Sequence, residues 1–227
     1  MFLTTLGSFL RDALKLMKDE QGFMKMDESA RRTAIQKHLG DYPRAFVDYL
    51  ATVKEATFLE QVHGSINFMN DGFLPENKQL LEALADYAAK EFATKLDLFD
   101  RSFFFESEEK QLAMLKEVFP GGSFFRKAMR DYVLGSTYQE ISEEAQKFLR
   151  DFKEEPTIIV QSSQEIDKGI RQEVRAHFAK KHPYSFLEFQ INPQIIGGLR
   201  VFIDGKVMDH SWLSKIQKIS QLAYQLS

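Results

Sequence analysis

Residues 156–211 read PTIIVQSSQEIDKGIRQEVRAHFAKKHPYSFLEFQINPQIIGGLRVFIDGKVMDHS, and the rhythm of this stretch decides the fold. Thr157–Ser162 is rich in β-branched residues and predicts a strand. Ile166, Ile170, Val174 and Phe178 recur every four residues, which predicts a helix, and His182-Pro183 stops it. Leu187, Phe189 and Ile191 then alternate with Phe186, Glu188 and Gln190, the period of a half-buried strand. Gly198–Ile203 reads as a third strand with Leu199, Val201 and Ile203 on one face. Asp204-Gly205 tolerates two positive φ values in a row and predicts a two-residue hairpin turn into Lys206–Met208. Ser211 is placed to cap a last helix whose apolar stripe is Trp212, Ile216, Ile219, Ala223 and Leu226. The unit is therefore β-α-β-β-β-α with a small mixed sheet. Its first two strands run parallel if they are neighbours, because a helix crosses between them.

Upstream of Lys153 the period is helical. Leu3, Leu6, Leu10, Leu14 and Met17 form one stripe, and Ala30, Ala34, Ile35, His38 and Leu39 another. Pro43 suits the first turn of a helix that buries Phe46, Tyr49, Leu50 and Val53 and runs on to Met69. Pro75 opens a helix carrying Leu80, Leu84, Tyr87, Ala88 and Phe92. A short helix spans Glu108–Phe119, ended by Pro120-Gly121-Gly122. Phe125, Met129 and Val133 mark the next, and Ile141, Ala145, Phe148, Leu149 and Phe152 the last. Six or seven helices with short connections make a bundle. The fold class is α+β: a helical bundle over residues 1–153, a small α/β domain over 154–227, and a hinge at Lys153–Pro156. The triple Phe103-Phe104-Phe105 cannot lie on one helical stripe. It reads as a connector plugging the end of the bundle, with a partner-facing patch as the alternative.

Composition narrows the function. The chain has 227 residues, a formal net charge of −3, no cysteine and 21 phenylalanines against one tryptophan. Two small domains or one large one fit that length. The absence of cysteine excludes disulfides, thiolate catalysis and cysteine-ligated metals. The acidic balance lacks the clustered positive charge that phosphate neutralisation requires. Arg31-Arg32 and Lys180-Lys181 read as solvated helix faces. No apolar run has membrane length, and Met1–Leu10 lacks the charged start of a secretory signal, so a cytoplasmic bacterial protein without membrane insertion is expected.

No reaction centre is legible. Gly121-Gly122 lacks the Lys and Ser/Thr of a P-loop, and Gly197-Gly198 leads into a strand rather than a helix N-terminus. The histidines at 38, 63, 177, 182 and 210 show no zinc-protease spacing, and His182 reads as a residue favoured by a helix C-terminus. The acidic pairs read as helix starts or exposed faces. No catalytic residue, cofactor or metal is assigned, which leaves a binding or structural role.

The segment from Ile191 to Leu213 resembles the C-terminal hallmark of the ATP synthase delta subunit family, which includes the mitochondrial oligomycin-sensitivity-conferring protein. Asn192, Pro193, Ile196, Gly197, Gly198, Asp209 and Ser211 occupy the hallmark places, and Ile158–Ser163 is similar to the family's strand ending in small residues. The resemblance covers roughly residues 155–222. The Tyr-Ala-x-Ala-Leu usual near the family's first helix is absent, and Phe9–Leu14 is a distant echo of it. The resemblance implies a non-catalytic stator subunit, one copy per complex, peripheral at the cytoplasmic face of the inner membrane. Its bundle would grip N-terminal helices of the alpha subunit, and its α/β domain the C-terminal ends of the stalk b subunits. The head is then held still and proton flow is coupled to ATP synthesis. Phe186, Phe202 and Trp212 are the candidate partner-binding aromatics, against core packing for each. A regulatory or RNA-binding protein, using Phe186 and Phe202 on an exposed sheet, is the competing class.

Overall fold

The computed structural model describes residues 4–71 and 75–211. Helices α1 (Thr4–Asp19), α2 (Glu28–Leu39), α3 (Arg44–Thr52), α4 (Glu55–Asp71), α5 (Gln79–Asp86) and α6 (Ala93–Leu96) come first, with a π-helical turn, Tyr87–Phe92, between α5 and α6. A 3₁₀ turn at Arg101–Phe105 leads to α7 (Glu108–Val118), α8 (Phe124–Leu134) and α9 (Tyr138–Lys153). Phenylalanine builds the centre of this bundle. Phe9 stacks on Phe46 at 4.4 Å, and the edge of Phe125 meets both Phe46 and Tyr87 at 5.0 Å. All four rings are fully buried, and paired aromatics of this kind add to the stabilisation from area burial.

The predicted stripes of α3, α8 and α9 are buried as read. On α1 the buried face is Leu6, Phe9, Leu10, Ala13 and Leu16, while Leu14 is 58% exposed. A stripe chosen from leucines and Met17 ignores Phe9 and Ala13, and including them turns the face toward α8 and α2. Leu3 lies outside the described residues. On α2, Ala30 is exposed and Arg31 is buried, which corrects the reading of Arg31 as solvated. Its guanidinium donates to the carbonyls of Met24 (2.5 Å), Met26 (3.1 Å) and Val53 (2.6 Å). A cation here meets the free carbonyls at the C-terminus of α3. That contact also explains why α3 does not run on to Met69: the chain turns extended at Val53 and α4 starts anew at Glu55.

Two helix N-termini in the bundle are capped by carboxylates from other helices. Asp12 of α1 is 2% exposed, and its two oxygens accept the amides of Phe124 and Phe125 at 2.9 and 2.8 Å, with the Tyr42 hydroxyl donating to it at 3.0 Å. The negative charge faces the positive end of α8. Asp12→Asn keeps one acceptor oxygen and removes the charge, so thermal or urea unfolding is expected to show a loss of about 1–2 kcal/mol. Glu91, on the π turn, accepts the Ala45 amide at 3.2 Å where Pro43 gives α3 no side-chain cap. Burial outweighs that bond and raises the Glu91 carboxyl above its ordinary 4.5. The folded state therefore holds this proton more tightly than the unfolded chain. The contribution of Glu91 to stability is greatest below pH 4.5 and falls as pH rises through the raised value. Melting curves of Glu91→Gln should accordingly gain on the parent as pH rises from about 4 to about 7. An unchanged difference across that range would show that the carboxyl is not desolvated.

After α9 come β1 (Ile158–Ser162), α10 (Lys168–Ala179), β2 (Leu187–Ile191), β3 (Leu199–Ile203) and β4 (Lys206–Asp209). The sheet order is β2-β1-β3-β4. β1 and β2 are parallel, with Ile158 opposite Leu187; β3 runs antiparallel to both β1 and β4. The mixed sheet and the crossover follow the sequence reading. The last helix expected after Ser211 lies outside the described residues. Ile158, Val160, Leu187 and Val201 form one buried face, against which Val174 and Phe178 of α10 pack. Ile170 is 49% exposed, against expectation. Ile166 precedes α10, and within the helix a spacing of four drifts about 40° per step, so Ile170 lies off the face on which Val174 and Phe178 pack. The residues buried on α10 are Arg171 and Arg175.

Candidate functional site

The segment carrying the glycine pair is built as a tight strap around the end of the sheet. The Asn192 amide donates to the Ser162 carbonyl at 2.7 Å, and the Asn192 side-chain oxygen accepts from Gln194 at 3.0 Å, so Asn192-Pro193 turns the chain out of β2. Ile195 tucks in at 2% exposure, while Ile196 is 60% exposed. Gly197 and Gly198 both have positive φ, 63° and 77°. At Gly198 a Cβ would lie 2.5 Å from the carbonyl oxygen of His210, so the two ends of the β3–β4 hairpin meet over a missing side chain. Asp204 and Gly205 turn the hairpin with φ 47° and 79°, as read from the pair. Asp209 accepts the Ser211 amide at 2.9 Å and two bonds from Arg200 at 2.9 and 3.1 Å. The Ser211 hydroxyl, the Ser211 amide and the Arg200 guanidinium hold this carboxyl down to about 2. Asp209 thus ties the strap down at all pH values above the ordinary carboxylate range, and the tie weakens only as pH falls from 3.8 toward 2.

The three candidate aromatics part company. Phe186 is 1% exposed and belongs to the core of the bundle. Phe202 is half-buried on the sheet face opposite α10, paired in register with Val207, which is 53% exposed. Trp212 lies outside the described residues. The phenylalanine triple splits in the same way. Phe103 is buried and packs against Phe99, tilted at 32° with centroids 4.2 Å apart, whereas Phe105 is 79% exposed. Phe105→Ser should therefore change unfolding free energy by less than about 0.5 kcal/mol; a larger loss in a urea titration would mean the ring is packed.

A junction between the bundle and the sheet was not legible in the sequence. Arg175 forms a bidentate pair with Asp97, which ends α6, at 2.8 and 2.9 Å. The side chains are 8% and 1% exposed. Arg171 donates to the carbonyl of Phe99 at 3.1 Å, and the Arg101 amide to Glu165 at 2.7 Å. The outer edge of β2 faces the bundle as well. The Phe189 amide donates to the Tyr138 hydroxyl at 3.3 Å, and Gln146 reaches the Phe186 carbonyl and the Glu188 carboxylate at 3.5 and 3.3 Å. Two arginines at i and i+4 are the only sequence signal, and the same pattern serves a solvated face.

Beside this junction lies a groove of about 400 Å³ between the π turn and α10, lined by Ala89, Thr94, Arg175, Ala176 and Ala179. A second, of about 380 Å³, lies by Phe103, Glu106, Lys110 and Met114. Both are open clefts lined by small, apolar and charged side chains. Among the described residues, no group of three His, Asp or Glu stands together as metal ligands. His38 lies 2.7 Å from Glu20, and His182 lies 3.5 Å from Glu155. Likewise among them, no helix is long and apolar enough to cross a membrane.

Comparison with known families supplies what geometry alone does not. A family model described as ATP synthase delta (OSCP) subunit matches residues 107–222, over half of the chain. No curated protein matches it. The matched span opens at the start of α7, takes in α8 and α9, and contains the whole sheet with its glycine strap.

Proposed function

Because the chain belongs to the ATP synthase delta (OSCP) subunit family, whose members are structural subunits of the peripheral stalk, we propose that it holds the catalytic head against rotation. With the head held still, proton flow is coupled to ATP synthesis. The observation that carries this reading is the family match across 107–222, which runs through the Asn192–Ser211 strap built as described above.

In this reading the chain divides into a bundle, 1–153, and an α/β unit, 154–227. The bundle receives N-terminal helices of the alpha subunit. The α/β unit engages the C-terminal ends of the stalk b subunits. Both contacts are helix-in-groove, with an apolar stripe of the partner filling a cleft. Phe202 with Val207 is the described part of the stalk-facing surface, and Trp212 follows it in the chain. Phe186 supports that surface from the core rather than touching the partner. One copy sits in each complex, peripheral to the cytoplasmic face of a bacterial inner membrane. The chain itself carries out no reaction.

The test is co-purification. Tagged chain added to detergent-solubilised ATP synthase stripped of its own subunit should bring down alpha and b together. Phe202→Ser should reduce recovery of b by about tenfold, as loss of one buried aromatic anchor does, while alpha is retained. Recovery of neither subunit would overturn the assignment. Recovery of RNA that is lost at moderate salt would favour the RNA-binding class instead.

A further inference from the structure

We propose that the bundle and the α/β unit form one stiff bracket, locked by the buried Arg175–Asp97 pair. Segments joined by a short linker ordinarily move against one another unless a large apolar interface binds them. Here the linker is itself pinned on both sides. Lys153 reaches Glu82 of α5 at 3.4 Å and lies over the Tyr184 ring at 4.7 Å. Glu155 accepts from the Ser185 hydroxyl at 3.2 Å and the Tyr184 amide at 3.4 Å. Phe186, just ahead of β2, is packed into the core of the bundle, so the strand cannot leave without emptying its site.

The lock is polar and buried, which makes it specific. The Arg175 guanidinium lies over the rings of Phe186 and Phe189 at 5.4 and 5.7 Å, away from water. Parting the units would strand that cation and the Asp97 carboxylate in apolar surroundings unless both moved far enough to rehydrate. Intermediate separations are therefore the costliest, and the junction has a closed state without a soft path out of it. In a stator, such a bracket transmits load without bending between its two attachments.

The proposal concerns the free chain and stands or falls apart from any partner. The protein has no cysteine, so spin labels can be placed cleanly at Lys15→Cys on α1 and Lys206→Cys on β4, both exposed. Electron–electron resonance should give a single distance distribution as narrow as that of a control pair inside the bundle, Lys15→Cys with Glu117→Cys. In Asp97→Asn/Arg175→Met, which removes both charges and leaves no ion unpaired, the cross-junction distribution should widen by about twofold or more while the control pair stays narrow. A broad or two-peaked distribution in the parent would overturn the proposal. So would a double variant as narrow as the parent. If the double variant fails to fold, seen as loss of the control distance, the width in the parent alone decides.

Discussion

Asp97→Ala is expected to lower the unfolding free energy by about 3–5 kcal/mol, among the largest effects of any single side chain here. The carboxylate is 1% exposed, and both of its oxygens take bonds from Arg175. Removing it leaves the guanidinium with one weak bond of 3.4 Å, to the Leu187 carbonyl. Among the described residues the Nη1 atom of Arg175 has no partner, and none of them is placed to replace the lost carboxylate. A surface ion pair would not behave this way, since solvent screens it and typical losses stay below about 1 kcal/mol. Urea unfolding followed by circular dichroism is the measurement. A loss under about 1 kcal/mol would mean that water reaches the pair.

Gly198→Ala comes second, at about 3 kcal/mol or more, from two sources that a control can separate. A positive φ at a residue with Cβ costs about 1–2 kcal/mol. At Gly198 that Cβ would also stand 2.5 Å from the His210 carbonyl oxygen and 3.1 Å from the Ser211 Cα, both backbone atoms. They cannot yield without loosening the bond from the His210 amide to the Leu199 carbonyl, which closes the hairpin at 2.9 Å. Gly121 has φ +96° and open space where its Cβ would be. Gly121→Ala should thus show the backbone part alone, about 1–2 kcal/mol. Equal losses at both glycines would show that the strap has room to give.

Elements whose apolar residues obey a single period were legible in the sequence. α9 is the clearest case: Ile141, Ala145, Phe148, Leu149 and Phe152 are all buried as read. The hairpin at Asp204-Gly205 was legible because that turn type admits few other pairs. Legibility failed where a polar group does the work of a core residue. Arg31, Arg171 and Arg175 look like solvated cations in a sequence, and only their partners, carbonyls and the carboxylates of Asp97 and Asp100 distant in the chain, make them interior. Asp12 interrupts an apolar run and reads as a break, yet it is the cap of a helix more than a hundred residues away. The break between α3 and α4 was missed for a related reason. Val53 and Lys54 carry no turn signal of their own, and the chain stops there because Arg31 takes the carbonyls.

The family resemblance was read from the segment that forms the strap, and the family match spans that segment. The match extends further back than the resemblance, to residue 107, so α7 to α9 also follow the family pattern. Those helices carry Tyr138 and Gln146, the side chains that receive β2. The family likeness therefore includes the part of the bundle on which the sheet is seated.

A strand at the border of a sheet offers a row of unsatisfied amides and carbonyls on which foreign strands can add, one after another, into fibrils. On β2 part of that row is taken: Tyr138 accepts from the Phe189 amide, Arg175 donates to the Leu187 carbonyl, and Gln146 donates to the Phe186 carbonyl just before the strand. Adding a strand along this border would first have to displace those three contacts. The opposite border, β4, has four residues and begins with a lysine, too short and too charged to seed such growth.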